Sequence, residues 1–242
     1  LKTEASKFVK SDGANMGSGG SSTAHLVNRY LNVIKNSGYG SSGGGAAGSK
    51  GGGKGGGGGG FGRAAALTGQ RLGGFLSRVA DVGLTEALRE FGLSDLIGKS
   101  AEDVINGITD AFTDPASSLD EEAARVALYE LNKELLQECD TFEEIEESFM
   151  EVVDEPGIVK TIVDFFSRYI YRIFCRDFYE GWQKKAGADQ AAQKLEDVKG
   201  YIFSSTRNRF TGETTNRNWA GNDGLRASEQ ILRDTIDIFE IA

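Results

Sequence analysis

Three short stretches carry the residue types and spacing of phosphate-binding loops. Gly48 to Lys54 reads G-S-K-G-G-G-K, the G-x-x-x-x-G-K spacing, but Gly55 stands where a Ser or Thr would hold magnesium. Gly38-Tyr39-Gly40-Ser41-Ser42-Gly43 matches G-x-G-x-x-G, and Gly98-Lys99-Ser100 ends like such a loop, although five residues rather than four separate it from Gly92. A phosphate is held only where a buried strand runs into the loop and a helix leaves it, so that the helix N-terminus and converging backbone N–H groups meet the anion. No apolar strand precedes the first two matches. From 38 to 62, 16 of 25 residues are glycine, so these matches follow from composition. The tract reads as a flexible segment between two ordered pieces. At the third match, Ser100 with Asp103 three residues on is the S-x-x-D signature of a helix start.

Other chemistries lack their parts. The one histidine, His25, excludes a His-based zinc site, and it falls in an N-terminal region that reads as frayed, a poor place for the base of a Ser-His-Asp triad. Cys139 and Cys175 are the only cysteines and form no C-x-x-C; they read as reduced core residues of a cytoplasmic protein. Di-metal sites in helical proteins use E-x-x-H on facing helices, whereas Glu143, Glu144, Glu146 and Glu147 have no histidine near them and read as a charged helix flank. No catalytic, cofactor-binding or metal-ligating residue is assigned, no cofactor is expected, and the chain reads as a non-enzyme. The segment 204–224, "SSTRNRFTGETTNRNWAGNDG", reads as a long polar loop, and long loops are often functional. In it Arg207, Arg209 and Arg217 alternate with Phe210 and Trp219. Such a mixture grips a partner protein or a phosphate-bearing strand, and these five are the candidate partner-contact residues.

The elements that must position them are helices. Before the glycine tract there is one modest pattern, Leu26, Tyr30, Leu31 and Ile34. After it, Leu72, Phe75, Leu76 and Val79 repeat at helical spacing, as do Leu84, Ala87, Leu88 and Phe91, with Gly83 and Gly92 as stops. Ser100 opens a helix with Val104, Ile105, Ile108 and Phe112 as its buried face, which Asp114-Pro115 ends. Ser118 with Glu121, and Thr141 with Glu144, read as capping boxes of two more. After Pro156-Gly157 comes a long helix apolar over much of its surface, with Ile158, Ile162, Val163, Phe166, Tyr169, Ile170, Ile173 and Phe174. A helix of that kind belongs at the centre of a bundle. Ala191, Leu195, Val198 and Ile202 mark another, and Leu225, Leu232, Ile236 and Phe239 a terminal one. The expected fold is therefore mainly α: a helical bundle around a long central apolar helix, with residues 1–62 a flexible Gly/Ser-rich region holding one short helix and 63–242 the helical domain.

Charge narrows the partners. The formal net charge is −9, and residues 120 to 155 hold 14 Asp/Glu against Arg125 and Lys133. Phosphate backbones need a basic footprint, so direct nucleic-acid binding is disfavoured; an accessory protein gripping nucleic acid through 204–224 is the alternative. The most apolar run, 157 to 182, contains Lys160, Asp164, Arg168, Arg172, Arg176 and Asp177, too many charges for a membrane span.

"FGLSDLIGKSAEDVINGITDAF" followed by "LDEEAARVALYELNKEL" resembles the QatB family of bacterial Qat anti-phage systems, in its G-L-x-x-L-x-G-x-S turn and its A-R-x-A-L helix. "SKFVKSDGAN", "LVNRYL" and the glycine tract before "RAAALTGQRLGGFLSRV" are similar to the region between the family's leader and its helical body, so the likeness covers roughly residues 5 to 180. The resemblance implies a non-enzymatic component that works beside a QueC-like enzyme, a large ATPase and a TatD-like nuclease. It implies further that the protein is an acceptor, to whose N-terminus the QueC-like partner attaches a deazaguanine, and an adaptor. Family members start Met-Gly in a small-residue leader. Leu1 does not match that start, and Met16-Gly17 falls within the segment that resembles the family's interior, so the leader is expected upstream and the acceptor glycine is not assigned.

Overall fold

A computed structural model describes residues 1–10, 23–36, 62–210 and 218–239. Among these residues the fold is mainly α, with ten helices and no strand: α1 (Lys2–Lys10), α2 (Thr23–Asn36), α3 (Arg63–Val82), α4 (Leu84–Glu90), α5 (Ala101–Phe112), α6 (Leu119–Leu136), α7 (Phe142–Met150), α8 (Glu155–Ala186), α9 (Ala188–Phe210) and α10 (Gly221–Asp237).

The local signals act as helix starts and stops. Ser118 and Thr141 accept hydrogen bonds from the Glu121 and Glu144 backbones, and each glutamate reaches back to its cap, two complete capping boxes. The backbone N–H groups of Asp140 and Thr141 hold the Glu144 carboxyl below the usual carboxylate range. Asp154 Oδ1 caps α8 by accepting from Gly157 N at 3.0 Å. A side chain at Gly157 would collide with that carboxylate and with the Val152 carbonyl, so Gly-after-Pro is required there. The single residue Gly187, at φ 86°, reverses the chain between α8 and α9, a conformation that suits only glycine.

α8 packs against α1, α3, α6, α9 and α10. From Ile158 to Phe174 its Ile, Val, Phe and Tyr side chains are buried, including the adjacent pairs Phe165–Phe166 and Ile173–Phe174 that no single-faced helix would carry. Where α10 crosses α3, small residues set the distance. A Cβ on Gly69 would lie 2.5 Å from Ser228 Oγ, and one on Gly73 would lie 2.2 Å from the Trp219 ring. Ser228 donates to the Ala66 carbonyl at 2.7 Å, so the close approach also satisfies a buried hydroxyl.

The structure departs from the sequence reading at three places. Among its described residues the N-terminal region holds two helices, not one: α1 carries only Ala5, Phe8 and Val9 as its buried face, too short a pattern to stand out. His25 lies on α2, not in frayed chain. Among its described residues the polar segment 204–224 is largely helical, since residues 204–210 complete α9 and 221–224 begin α10. Ser204, Arg207, Asn208 and Arg209 are on the solvent face of α9, whose buried stripe runs on through Ile202, Thr206 and Phe210. Thr206 fits that stripe because its hydroxyl bonds to the Ile202 carbonyl at 3.0 Å and to Ser167 Oγ at 2.8 Å.

Two neighbouring glycines test the α3–α10 packing. Gly73→Ala should lower stability by about 1–3 kcal/mol through overpacking against Trp219. Gly74→Ala, whose nearest neighbour is a carbonyl at 3.7 Å, should raise it by up to about 1 kcal/mol as a helix-interior glycine is removed. Urea unfolding of the two variants checks the opposite signs.

Candidate functional site

In sequence the glycine tract ends at Gly62, the start of α3. Gly62 takes a left-handed φ of 82° and has no side chain with which to cap the helix. The cap comes from another helix: Gly62 N donates to Asp120 Oδ1 at 3.1 Å and Ala64 N to Asp120 Oδ2 at 3.0 Å, while the Tyr169 hydroxyl donates to the same carboxylate. Asp120 lies in the first turn of α6, so two helix N-termini, each with about half a positive charge, converge on one carboxylate. The place where a phosphate would sit on α3 is filled by the protein's own anion. The two tract motifs at 38–43 and 48–54 lie outside the described residues. At the third motif, Ser100 accepts from Asp103 N at 3.2 Å and caps α5, as a helix start should.

Four of the five candidate contact residues, Arg207, Arg209, Phe210 and Trp219, are among the described residues, and they divide between the surface and the core. Arg207 lies on the exposed side of α9, its Nε 3.3 Å from Asp164 Oδ1 and its guanidinium 5.8 Å from the Phe203 ring. On the other helix Arg168 lies 5.4 Å from the same ring and pairs with Glu134 of α6, so Phe203 is flanked by two guanidinium groups. Tyr171 is flanked likewise by Arg172 and Lys199, each 5.9 Å from its ring centre. Arg209 extends over Phe210 at 6.0 Å. Phe210 and Trp219 are corrections: they are 9% and 3% exposed and serve the core, because one ends the buried stripe of α9 and the other fills the space left by Gly73. Arg217 lies outside the described residues. The stacked rings between α8 and α9 were not anticipated; Arg168, Arg172, Lys199, Phe203 and Arg207 at four-residue spacings on two consecutive helices were the available signal.

Trp219 instead helps line a cleft of about 820 Å³ beside α3, with Gly74, Ser77, Phe91, Ile158 and the turn at Asn218–Gly221. Its rim charges are closed among themselves. Arg71 bonds to Asp114 and to the Phe112 carbonyl, and Arg78 forks onto Glu90 at 2.5 and 2.6 Å. A cleft whose arginines are already paired suits a protein surface better than a phosphate chain.

Burial pushes the Cys175 thiol up, beside the Tyr171 hydroxyl, and Cys139 Sγ lies 3.2 Å from Ser148 Oγ; both are free and half-buried. Among the described residues no group of three or more His, Cys, Asp or Glu could hold a metal ion, and no helix is long and apolar enough to cross a membrane.

A family model described as Qat anti-phage system associated protein QatB matches residues 56–239. No curated protein and no solved structure matches the chain.

The shared cap gives a direct test. Asp120→Ala should cost about 0.5–2 kcal/mol, the worth of a helix cap, read as a lower Tm in a thermal melt. ATP with magnesium should leave the Tm of the unaltered protein where it is; a rise would show that the tract binds phosphate after all.

Proposed function

This chain belongs to the QatB family of Qat anti-phage system associated proteins, and from that premise we propose that it is a non-enzymatic component of a defence complex, acting as substrate and adaptor. In this proposal its N-terminal segment is the acceptor of a deazaguanine delivered by the system's QueC-like enzyme. The helical body docks that enzyme, with the system's ATPase and TatD-like nuclease as further partners, in the cytoplasm.

The observation that carries this is the start of α3. Two of its N-terminal N–H groups, those of Gly62 and Ala64, are taken by Asp120, so the body's end of the glycine-rich stretch is a helix start that already holds an anion of the protein's own. A stretch of that composition supports a tether, which raises the local concentration of whatever it carries near a docked enzyme. The cleft along α3 and the arginines at the end of α9 are the surfaces proposed for partner contact. The ion pairs of Arg71, Arg78 and Arg207 favour protein over nucleic acid, because an arginine already paired with a carboxylate releases few counterions from a phosphate chain.

A pair of titrations tests this. The unaltered protein and a variant with Arg207, Arg209 and Arg217 all changed to Glu are each titrated with the QueC-like enzyme and with single-stranded DNA. The enzyme should bind the unaltered protein, and more weakly the variant, while DNA binding stays weak for both at physiological salt. Tight DNA binding that the triple change abolishes would replace the adaptor with a nucleic-acid accessory using 204–224.

A further inference from the structure

Gly73 and Gly74 are neighbours in the middle of α3, and packing explains only one of them. Gly73 makes room for the Trp219 ring, whereas a Cβ on Gly74 would meet nothing closer than the Trp219 carbonyl at 3.7 Å. A helix-interior glycine costs stability, so one without a packing reason reads as a place where another group approaches the backbone. Gly74 lines the cleft of about 820 Å³, as does Phe91, whose ring is 36% exposed. Bare helix backbone in one cleft with a half-exposed ring makes a seat for an apolar side chain.

The cleft also holds donors without acceptors. α10 begins in its wall: Ala220 and Gly221 both line it, and Ala220, at the N-cap, has no side-chain oxygen for the first N–H groups. Asn218 accepts from Ala220 N at 3.0 Å, one residue short of the helix, and Asp223 in the first turn pairs with Arg226 at 3.6 Å. Trp219 lines the same cleft and is 3% exposed, and its buried indole N–H has no hydrogen-bond partner among the described residues. The Cδ2, Cε3 and Cζ3 side of the ring faces Gly73, which leaves the N–H edge turned away from that contact. A buried donor of this kind calls for an acceptor. Arg71 and Arg78 are held by Asp114 and Glu90, so the charge left to recruit one is the N-terminal end of α10, about half a positive charge.

We infer that the cleft is a docking site for an acidic peptide segment of a partner protein. An Asp or Glu carboxylate of that segment is held by the N-terminus of α10 and the Trp219 indole N–H, and an adjacent apolar side chain lies on Gly74 and Phe91. This rests on the proposal above that the cleft contacts a partner, and it names the chemistry by which the partner is read.

The test pans a phage-displayed library of random dodecapeptides on the whole chain and, in parallel, on Gly74→Leu, which fills the cleft at a position with room for a Cβ. Peptides held by the unaltered protein and lost by Gly74→Leu should share an Asp or Glu beside an apolar residue. The strongest of them, made with a fluorescent label, should bind at least about tenfold more weakly once its acid is changed to the amide. Ala220→Asp gives the sharper readout, since Ala220 already has the extended backbone of an N-cap, at φ −81° and ψ 142°. The new carboxylate should cap α10 and compete for the same N–H groups, so Tm should rise while the labelled peptide binds at least about tenfold more weakly; Ala220→Asn, a neutral cap, should move both in the same directions. A higher Tm with unchanged affinity overturns the carboxylate seat. Selected peptides without acids, or none that depend on the open cleft, overturn the inference as a whole, as does displacement of the labelled peptide by inorganic phosphate as readily as by its unlabelled copy. The adaptor reading is decided separately, by the titration with the QueC-like enzyme.

Discussion

Everything in this fold answers to one constraint, the burial of α8. A helix of 32 residues whose middle turns are apolar on nearly every side cannot face water, and no single neighbour can cover it. Five helices surround it, drawn from both ends of the chain. Covering it closely sets further demands: Gly69 and Gly73 on α3 and Gly224 and Ser228 on α10 are small because two helices must approach each other beside Phe166 and Trp219. The charges that α8 does carry are placed where cover ends. Arg168 and Arg172 reach α6 carboxylates on one side and lie against aromatic rings on the other, so even the seams of the bundle are packed.

What could be read from sequence was what local chemistry decides. Capping boxes act within three residues, so Ser118–Glu121 and Thr141–Glu144 were legible and are formed. Helical stripes such as Val104, Ile105, Ile108 and Phe112 were legible for the same reason. What depends on distant partners was not. Residues 204–210 look like loop by composition, yet Thr206 and Phe210 keep them helical by burying against α8 and its neighbours. Trp219 looks like a surface anchor beside arginines, and only the empty space over Gly73, 146 residues earlier, turns it inward. The cap of α3 by Asp120 joins residues 56 and 58 apart, which no spacing rule could reveal.

The phosphate-loop decoys show how composition and structure part company. A glycine-rich stretch leading into a helix has two of the three parts of an anion site, and the third, an open helix N-terminus, is absent because Asp120 closes it. The same carboxylate serves the first turn of α6 and the hydroxyl of Tyr169, tying the entry of the stretch to the bundle centre. The substrate role proposed for this member of the QatB family needs no such site, since in it the acceptor is the N-terminal segment.

The most direct measurement of that role is the intact mass of the natively expressed, full-length protein, taken from cells with and without the gene for the QueC-like enzyme. A substrate role requires a heavier protein only when the enzyme is present, with the added mass that of one deazaguanine group and located by fragmentation at the N-terminus. Identical masses in the two backgrounds, with the enzyme shown to be present and bound, would contradict it and leave the protein an adaptor alone.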